Sequence, residues 1–178
     1  MKVVCIAGRS GAGKTTLIER LIPALKSQGL RASVVKHAHH GLDIDHPGKD
    51  TFRHREAGAF EVVAASPKRL VLMREFEQLA ELSVHQMIAE LYDGVDWVLV
   101  EGFKHGNLPK IEIVRPDTPS PAMYPDDPFV VAVLSDDAAN LPASTSLPVL
   151  NLGDPSALAQ WLIHNGGRFD YDPEQFAD

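Results

Sequence analysis

The chain has 178 residues, of which 44% are hydrophobic and 23% are charged, a composition typical of a soluble globular domain. Its net charge of −7 argues against nonspecific binding to nucleic acid or to an anionic membrane, and no apolar run approaches the roughly 20 residues of a membrane-spanning helix. The single cysteine permits no disulfide within the chain, which favours a reducing compartment and predicts a cytoplasmic protein.

Short apolar runs rich in Val, Ile and Leu alternate with helical patterns along the chain. The runs predicted to form β-strands are 3–7, 32–36, 61–65, 70–73, 97–100, 111–114, 130–134 and 148–151. The segments predicted to form helices are 14–28, 49–58, 78–92 and 154–164. Several runs are apolar on both faces, as in strands that are covered by helices on both sides. The pattern predicts an α/β fold with one open, mostly parallel sheet and helices on both faces.

The segment GRSGAGKT at 8–15 fits the phosphate-loop pattern G-x-x-x-x-G-K-[ST], and it lies between a predicted strand and a predicted amphipathic helix. Its glycines allow successive backbone N–H groups to point at an anion, and the helix N-terminus adds a positive dipole end. Lys14 is expected to reach the β- and γ-phosphates, and the Thr15 hydroxyl is expected to bind Mg²⁺. The residues predicted to hold the nucleotide are Gly8, Arg9, Ser10, Gly11, Ala12, Gly13, Lys14, Thr15 and Thr16. This context predicts a P-loop NTPase fold.

The segment 36–50, KHAHHGLDIDHPGKD, follows the second predicted strand and is dense in histidine, aspartate and lysine. In a phosphate-loop fold this position is a switch region beside the γ-phosphate. Asp45 is a candidate for Mg²⁺ or its waters, and Lys36, His37 and Lys49 are candidates for phosphate or another anionic ligand. The same composition also admits a transition-metal site or a solvated polar loop.

Glu101 directly follows four apolar residues in DWVLVEGFK, so a strand is expected to present its carboxylate at the strand end. A carboxylate in that place can hold Mg²⁺ directly or through water. The alternative is a glutamate that simply faces solvent.

Asp136 lies at the end of a late predicted strand, where an open α/β sheet receives a nucleotide base. A carboxylate suits guanine, because it accepts hydrogen bonds from N1–H and the 2-amino group together. The common Asn-Lys-x-Asp guanine signature is absent from the sequence, and a helix-capping role for Asp136 stays open.

The predicted domain comprises residues 1–165, with a proline-rich excursion at 115–128 that contains five prolines. Residues 166–178 form an acidic C-terminal tail that is expected to be loosely held.

The segments 8–25, 36–59 and 99–115 together resemble the molybdopterin-guanine dinucleotide biosynthesis adaptor proteins, the MobB family. The resemblance covers about residues 1–165, and KHxHHxxDxDxPGKD and VEGFK are far more specific than the phosphate loop alone. It implies a homodimeric, GTP-binding protein with weak Mg²⁺-dependent GTPase activity. Such a protein would assist the molybdenum cofactor guanylyltransferase, which attaches GMP to molybdopterin.

The resemblance also implies roles for individual residues. Thr15, Asp45 and Glu101 would surround Mg²⁺, and the residues expected to serve the reaction are Lys14, Asp45 and Glu101. The residues that would line the site or a pterin-facing groove are His37, Lys49, Asp50, Lys104 and Lys110. Arg9 stands where relatives in the wider class often carry a lysine that reaches across a dimer, or it is a surface residue.

Two other functions remain open on the sequence alone. The His/Asp-rich segment 36–50 is compatible with a nickel-type metallochaperone GTPase, although the chain lacks a cysteine-bearing metal motif. A small-molecule kinase that uses ATP would need an arginine-rich lid over the phosphates, for which Arg53 and Arg55 are the available candidates.

Overall fold

The computed structural model describes residues 1–38, 41, 44–116 and 121–176. The chain divides into two compact units, which are Met1–His37 together with Ser83–Asp178, and Ala38–Leu82. The strands are β1 (Lys2–Ala7), β2 (Ala32–Lys36), β3 (Glu61–Ser66), β4 (Arg69–Arg74), β5 (Trp97–Glu101), β6 (Lys110–Ile113), β7 (Val130–Ser135) and β8 (Val149–Asn151). The helices are α1 (Lys14–Ser27), α2 (Asp50–Glu56), α3 (Val84–Ala89) and α4 (Pro155–His164).

The first unit contains a six-stranded sheet in the order β2-β5-β1-β6-β7-β8. Every neighbouring pair in this sheet is parallel. The α/β fold with an open parallel sheet is therefore confirmed. Because all six strands run the same way, their carboxyl ends lie along one edge of the sheet, where ligands bind in open α/β folds.

Side chains of the central strand β1 alternate between two apolar layers, as the period of two in a strand requires. Val4 and Ile6 pack with residues of α1 and α4, among them Leu17 and Leu158. The intervening residues of β1 pack on the other face, in a cluster that includes Val84 of α3. Helices thus cover both faces of the sheet at β1, which explains why residues 3–7 are all apolar.

Helix α1 begins after Gly13, a left-handed residue with a φ of 100° that ends the turn between β1 and the helix. The helix continues through Pro23 to Ser27. Helix α3 is shorter than predicted, because the capping box between Ser83 and Gln86 sets its start.

The second unit contains α2 and an antiparallel hairpin, in which β3 pairs with β4 from Glu61 opposite Arg74 to Ser66 opposite Arg69. These two strands were expected in the single main sheet, and that expectation is wrong. Only two residues separate the strands, which suffices for a hairpin, whereas parallel neighbours need a crossover of a dozen or more residues.

Residues 166–171 pack within the first unit rather than extending loosely. Phe169 is buried, and its ring lies 5.4 Å from the ring of Trp97 and 6.1 Å from the ring of Trp161. Asp170 forms an ion pair with Lys2 of β1. Among the described residues, no helix has both the length and the apolar character needed to cross a bilayer.

Candidate functional site

The predicted nucleotide site in the first unit lies at the carboxyl edge of the sheet. The phosphate loop follows β1, and Glu101 ends β5, the neighbour of β1 on one side. Arg115 follows β6, the neighbour of β1 on the other side, and Asp136 follows β7. Residues that are distant in sequence are therefore gathered around the central strand.

The phosphate loop has the backbone that its glycines predict. Gly8, Gly11 and Gly13 have φ values of 135°, 78° and 100°, which side-chain-bearing residues rarely adopt. At Gly8 there is also no room for a side chain, because a Cβ atom would lie 3.0 Å from the carbonyl oxygen of Ile113. A Cβ at Gly11 would meet no atom of the described residues within 4 Å, so the loop is open at that point.

Lys14 folds back over the loop that precedes it. Its ammonium group donates hydrogen bonds to the carbonyl oxygens of Gly8 at 3.0 Å and Arg9 at 2.7 Å. Partial burial lowers the pKa of Lys14, and the nearby Glu101 carboxylate opposes this shift. The cationic group is thus held beside the loop, in position to meet phosphate oxygens.

Glu101 forms the polar centre of the site. The carboxylate is buried, with the residue 9% exposed, and its Oε1 atom accepts a 2.6 Å hydrogen bond from the Thr15 hydroxyl. The ammonium group of Lys36, at the end of β2, lies 3.4 Å from the same oxygen. A hydroxyl and a carboxylate side by side form an oxygen donor set that suits Mg²⁺. The sequence-based pairing of Thr15 with Glu101 therefore has a geometric basis.

The chain turns sharply after Glu101, where Gly102 has a φ of 100° and Phe103 a φ of 49°. His37 lies against this turn. Its backbone N–H donates to the carbonyl oxygen of Glu101 at 3.0 Å, and its ring stacks on Phe103 with the ring centres 4.7 Å apart. A Cβ at Gly102 would lie 3.1 Å from the Cβ of His37, so the ends of β2 and β5 fit closely.

Arg115 is a site residue that sequence reasoning did not identify. Its Nε atom donates to the carbonyl oxygen of Ala12 at 3.0 Å, and its Nη1 atom lies 2.7 Å from Oδ2 of Asp136. The available signal was a cation directly after the strand predicted at 111–114. Asp136, a candidate for base recognition, is thus engaged with an arginine, and its proposed contact with guanine stays a prediction.

Residues 3–136 match the family of molybdopterin guanine dinucleotide synthesis protein B, MobB. The chain belongs to the MobB family. The segment that matches begins in β1 and ends at Asp136, so it contains the phosphate loop, the second unit and the Arg115–Asp136 pair.

Two bacterial relatives carry the name molybdopterin-guanine dinucleotide biosynthesis adapter protein. The protein of Escherichia coli K12 is 38% identical over 164 residues, which cover 90% of this chain and 91% of the relative. The protein of Haemophilus influenzae Rd is 38% identical over 168 residues, which cover 91% of this chain and 90% of the relative.

Solved MobB structures have the same fold. The crystal structure of Bacillus subtilis MobB is 26% identical, aligns with a TM-score of 0.69, and covers 97% of this chain and 100% of that one. A crystal structure of molybdopterin-guanine biosynthesis protein B (mobB) is 24% identical, aligns with a TM-score of 0.70, and covers 92% of this chain and 99% of that one. The predicted P-loop NTPase fold is confirmed.

Lys110 does not line a groove in this MobB chain. The residue is 1% exposed, and its ammonium group lies 3.1 Å from Oδ2 of Asp127 and over the ring of Phe129 at 4.8 Å. Its charge is neutralised inside the fold, so the expected pterin-facing role does not suit it. Lys104, by contrast, is exposed, and its charge acts on Lys14. Arg9, Ser10 and Thr16 are also exposed.

Three other residues that were predicted for the nucleotide site belong to the second unit. The Oδ1 atom of Asp45 accepts hydrogen bonds of 2.9 Å from the Thr51 hydroxyl and from the backbone N–H of His46, and Oδ2 lies 3.5 Å from Arg55. Lys49 and Asp50, at the start of α2, are exposed. Participation of Asp45 in a Mg²⁺ site with Thr15 and Glu101 stays a prediction.

The metal-site alternative rests on the histidines and aspartates of segment 36–50. His39, His40 and Asp43 lie outside the residues that the structure describes. In the described part of the chain, no three His, Cys, Asp or Glu side chains are grouped as a metal site.

Proposed function

We propose that this chain is a cytoplasmic, Mg²⁺-dependent GTP-binding adapter that assists the guanylylation of molybdopterin. One observation carries the proposal, which is the phosphate loop with Lys14 folded over it and the Thr15–Glu101 pair beside it. Membership of the MobB family supplies the pathway, because the relatives named above are adapters in molybdopterin-guanine dinucleotide biosynthesis.

The loop fits the terminal phosphates of a nucleotide. The positive φ values of Gly11 and Gly13 are of the kind that turns main-chain amides toward an anion, and the start of α1 contributes its positive dipole end. The ammonium group of Lys14 would donate stronger hydrogen bonds to anionic phosphate oxygens than it donates to the neutral carbonyl oxygens of Gly8 and Arg9. Nucleotide binding is therefore expected to move Lys14 from the loop carbonyls to the phosphates.

Thr15 and Glu101 would hold Mg²⁺, with Asp45 as a further candidate ligand. When bound, Mg²⁺ neutralises negative charge on the phosphate oxygens. Glu101 supplies a buried carboxylate that would otherwise repel phosphate, so the metal is needed to make the two anionic groups compatible.

Hydrolysis is expected to be slow. Segment 36–50, the predicted switch region, contains no glutamine, the residue type that orients the attacking water in Ras-type GTPases. Slow turnover suits a protein whose task is to bind a nucleotide and assist a partner rather than to consume GTP.

The proposed partners are the molybdenum cofactor guanylyltransferase, molybdopterin itself and a second copy of this chain. Residues 1–165 would form the GTP-binding domain, with 166–178 as an appended segment. His37, Lys49, Asp50 and Lys104 are proposed contacts for the nucleotide or the pterin, and Arg9 is a proposed contact across the homodimer.

The direct test is the yield of guanylylated cofactor from purified guanylyltransferase, molybdopterin and GTP. Wild-type protein is expected to raise the yield, and Lys14→Ala is expected to lose both this stimulation and nucleotide affinity. Exposed Lys26→Ala serves as the matched control, because it removes a lysine from the far end of α1. A yield that is unchanged by wild-type protein contradicts the adapter role, and preference for ATP over GTP in competition favours the kinase alternative.

A further inference from the structure

Arg115 joins the phosphate loop to the end of β7 through two different guanidinium nitrogens. Nε donates to the carbonyl oxygen of Ala12 at 3.0 Å, and Nη1 pairs with Oδ2 of Asp136 at 2.7 Å. The side chains of Arg115 and Asp136 are 42% and 47% exposed, and ion pairs with this exposure contribute little to stability. The role of this pair is therefore to position another group, and its contribution to the free energy of unfolding is small.

The group that it positions is a peptide plane of the phosphate loop. The Ala12–Gly13 peptide is trans, so its carbonyl and its N–H point in opposite directions. A donor that fixes the direction of the Ala12 carbonyl also fixes the direction of the Gly13 N–H. That N–H stands immediately before α1, in the row of amides with which a phosphate loop surrounds its anion.

This peptide needs an external restraint. Gly13 has a φ of 100° and no Cβ, so its backbone rotates more freely than that of other residues. Within the described structure, no side chain caps the start of α1. Arg115 lies next to this glycine, since a Cβ at Gly13 would be 3.5 Å from Nη2 of Arg115.

We propose that Arg115 is a positioning residue of the nucleotide site, which holds the Ala12–Gly13 peptide so that the Gly13 N–H faces the bound phosphates. Asp136 orients Arg115, and its carboxylate thus acts through the arginine instead of reading the base. The inference rests on the proposed function, because it assigns a task within the same nucleotide site.

An arginine suits this task because its nitrogens lie in one rigid plane, so one side chain serves two partners in different directions. A lysine keeps the charge but has a single nitrogen on a flexible stem. Arg115→Lys therefore separates positioning from simple attraction between a cation and the phosphates.

The experiment measures the affinities of GDP, of a nonhydrolysable GTP analogue and of ADP by calorimetry. Arg115→Ala is expected to weaken both guanine nucleotides by about threefold to tenfold, the effect of losing one well-oriented hydrogen bond. Arg115→Lys is expected to lose as much. Asp136→Ala is expected to lose less, to leave the ratio of GDP to ADP affinity unchanged, and to have no further effect in the Arg115→Ala background.

Thermal unfolding of each variant shows whether weaker nucleotide binding comes from a destabilised fold. In NMR spectra, the amide signal of Gly13 is expected to shift in Arg115→Ala before nucleotide is added. Wild-type affinity in Arg115→Ala or Arg115→Lys overturns the inference. So does a loss of GDP preference caused by Asp136→Ala in the Arg115→Ala background, which would make Asp136 a base-reading residue. Wild-type protein that binds no nucleotide contradicts the proposed function as well, whereas wild-type binding that Arg115→Ala leaves intact contradicts this inference alone.

Discussion

The hydroxyl of Thr15 donates a 2.6 Å hydrogen bond to the carboxylate of Glu101, and so connects the first turn of α1 to the end of β5. The two residues are 86 positions apart in sequence. The parallel pairing of β1 with β5 brings them together, because Ile6 lies opposite Glu101 in the sheet. A pair of oxygen donors suited to Mg²⁺ thus follows from strand register.

Exchanging Thr15 tests whether this pair serves a metal. Thr15→Val keeps the shape and removes the hydroxyl, whereas Thr15→Ser keeps the hydroxyl. Thr15→Val is expected to weaken binding of a GTP analogue by about tenfold in the presence of Mg²⁺, because one oxygen ligand of the metal is lost. The effect in EDTA is expected to be much smaller, because no metal is bound there. Calorimetric titrations under both conditions make the comparison. Equal losses for the valine and serine variants would contradict a ligand role for the hydroxyl.

Two glycines of the phosphate loop are expected to differ in their tolerance of alanine. Gly8→Ala combines a φ of 135° with a Cβ that is 3.0 Å from the Ile113 carbonyl, so it is expected to lower the free energy of unfolding by about 3 kcal/mol. Gly11→Ala has a φ of 78° and open space, so a cost of about 1 kcal/mol is expected. Urea denaturation measures both. A larger loss at Gly11 than at Gly8 would mean that the contact with Ile113 is not limiting.

The sequence was sufficient to predict where the strands and the phosphate loop lie. All eight predicted strands exist: the central strands are buried on both faces, β2 and β8 are half-buried edge strands, and β3 and β4 form a hairpin. It did not indicate which strands share a sheet, since the runs of β3 and β4 resemble those of the main sheet. The short loop at Pro67 and Lys68 was the available sign of an antiparallel hairpin.

Charged residues were harder to assign, because the sequence does not reveal which charge is buried. Lys110 and Lys104 are six positions apart, yet one is enclosed by the fold and the other is exposed. Arg115 reaches Ala12 only because β6 lies beside β1. Such contacts depend on strand register, and no local pattern encodes them.

Cys5 is expected to be chemically inert in the folded protein. Burial raises the pKa of its thiol from 9.0 to about 12, while the charge of Lys110 acts in the opposite direction. The thiol also donates to the carbonyl oxygen of Gly102 at 3.1 Å. An aromatic disulfide reagent at pH 8 is expected to modify Cys5 only after unfolding, because thiolate is scarcer by about 10³-fold in the folded state. Rapid modification of native protein would contradict this prediction.

The same shift predicts a dependence of stability on pH. The folded protein keeps the thiol proton that the unfolded chain releases above about pH 9, so the contribution of Cys5 is complete below pH 9 and declines as the pH rises toward 12. The difference in unfolding free energy between wild-type protein and Cys5→Ala is expected to shrink over this range. A constant difference between pH 8 and the alkaline limit of folding would show that Cys5 does not titrate as described.

The ion pair between the buried Lys110 and the partly exposed Asp127 is expected to support stability without serving nucleotide binding. Asp127→Ala leaves the ammonium group of Lys110 buried without its 3.1 Å partner, which is expected to cost about 3–5 kcal/mol. The exposed neighbouring aspartate, Asp126, is the matched control, and Asp126→Ala is expected to cost less than about 0.5 kcal/mol. Urea denaturation gives both values. Unchanged stability together with abolished nucleotide affinity in Asp127→Ala would instead place Lys110 in the binding site.

Because Phe169 is buried, we expect the segment after α4 to stabilise the fold. Its ring is 1% exposed and packs against the rings of Trp97 and Trp161, so Phe169→Ala is expected to lower the free energy of unfolding by about 3–4 kcal/mol. Ile163→Ala, at a position that is 41% exposed, is the matched control and is expected to cost less than about 1 kcal/mol. Because the chain has 2 tryptophans and both contact Phe169, their fluorescence reports the packing as well as unfolding. A Phe169→Ala variant with wild-type stability and unchanged emission would mean that this segment is dispensable for the fold, and deletion of residues 166–178 would then be tolerated as well.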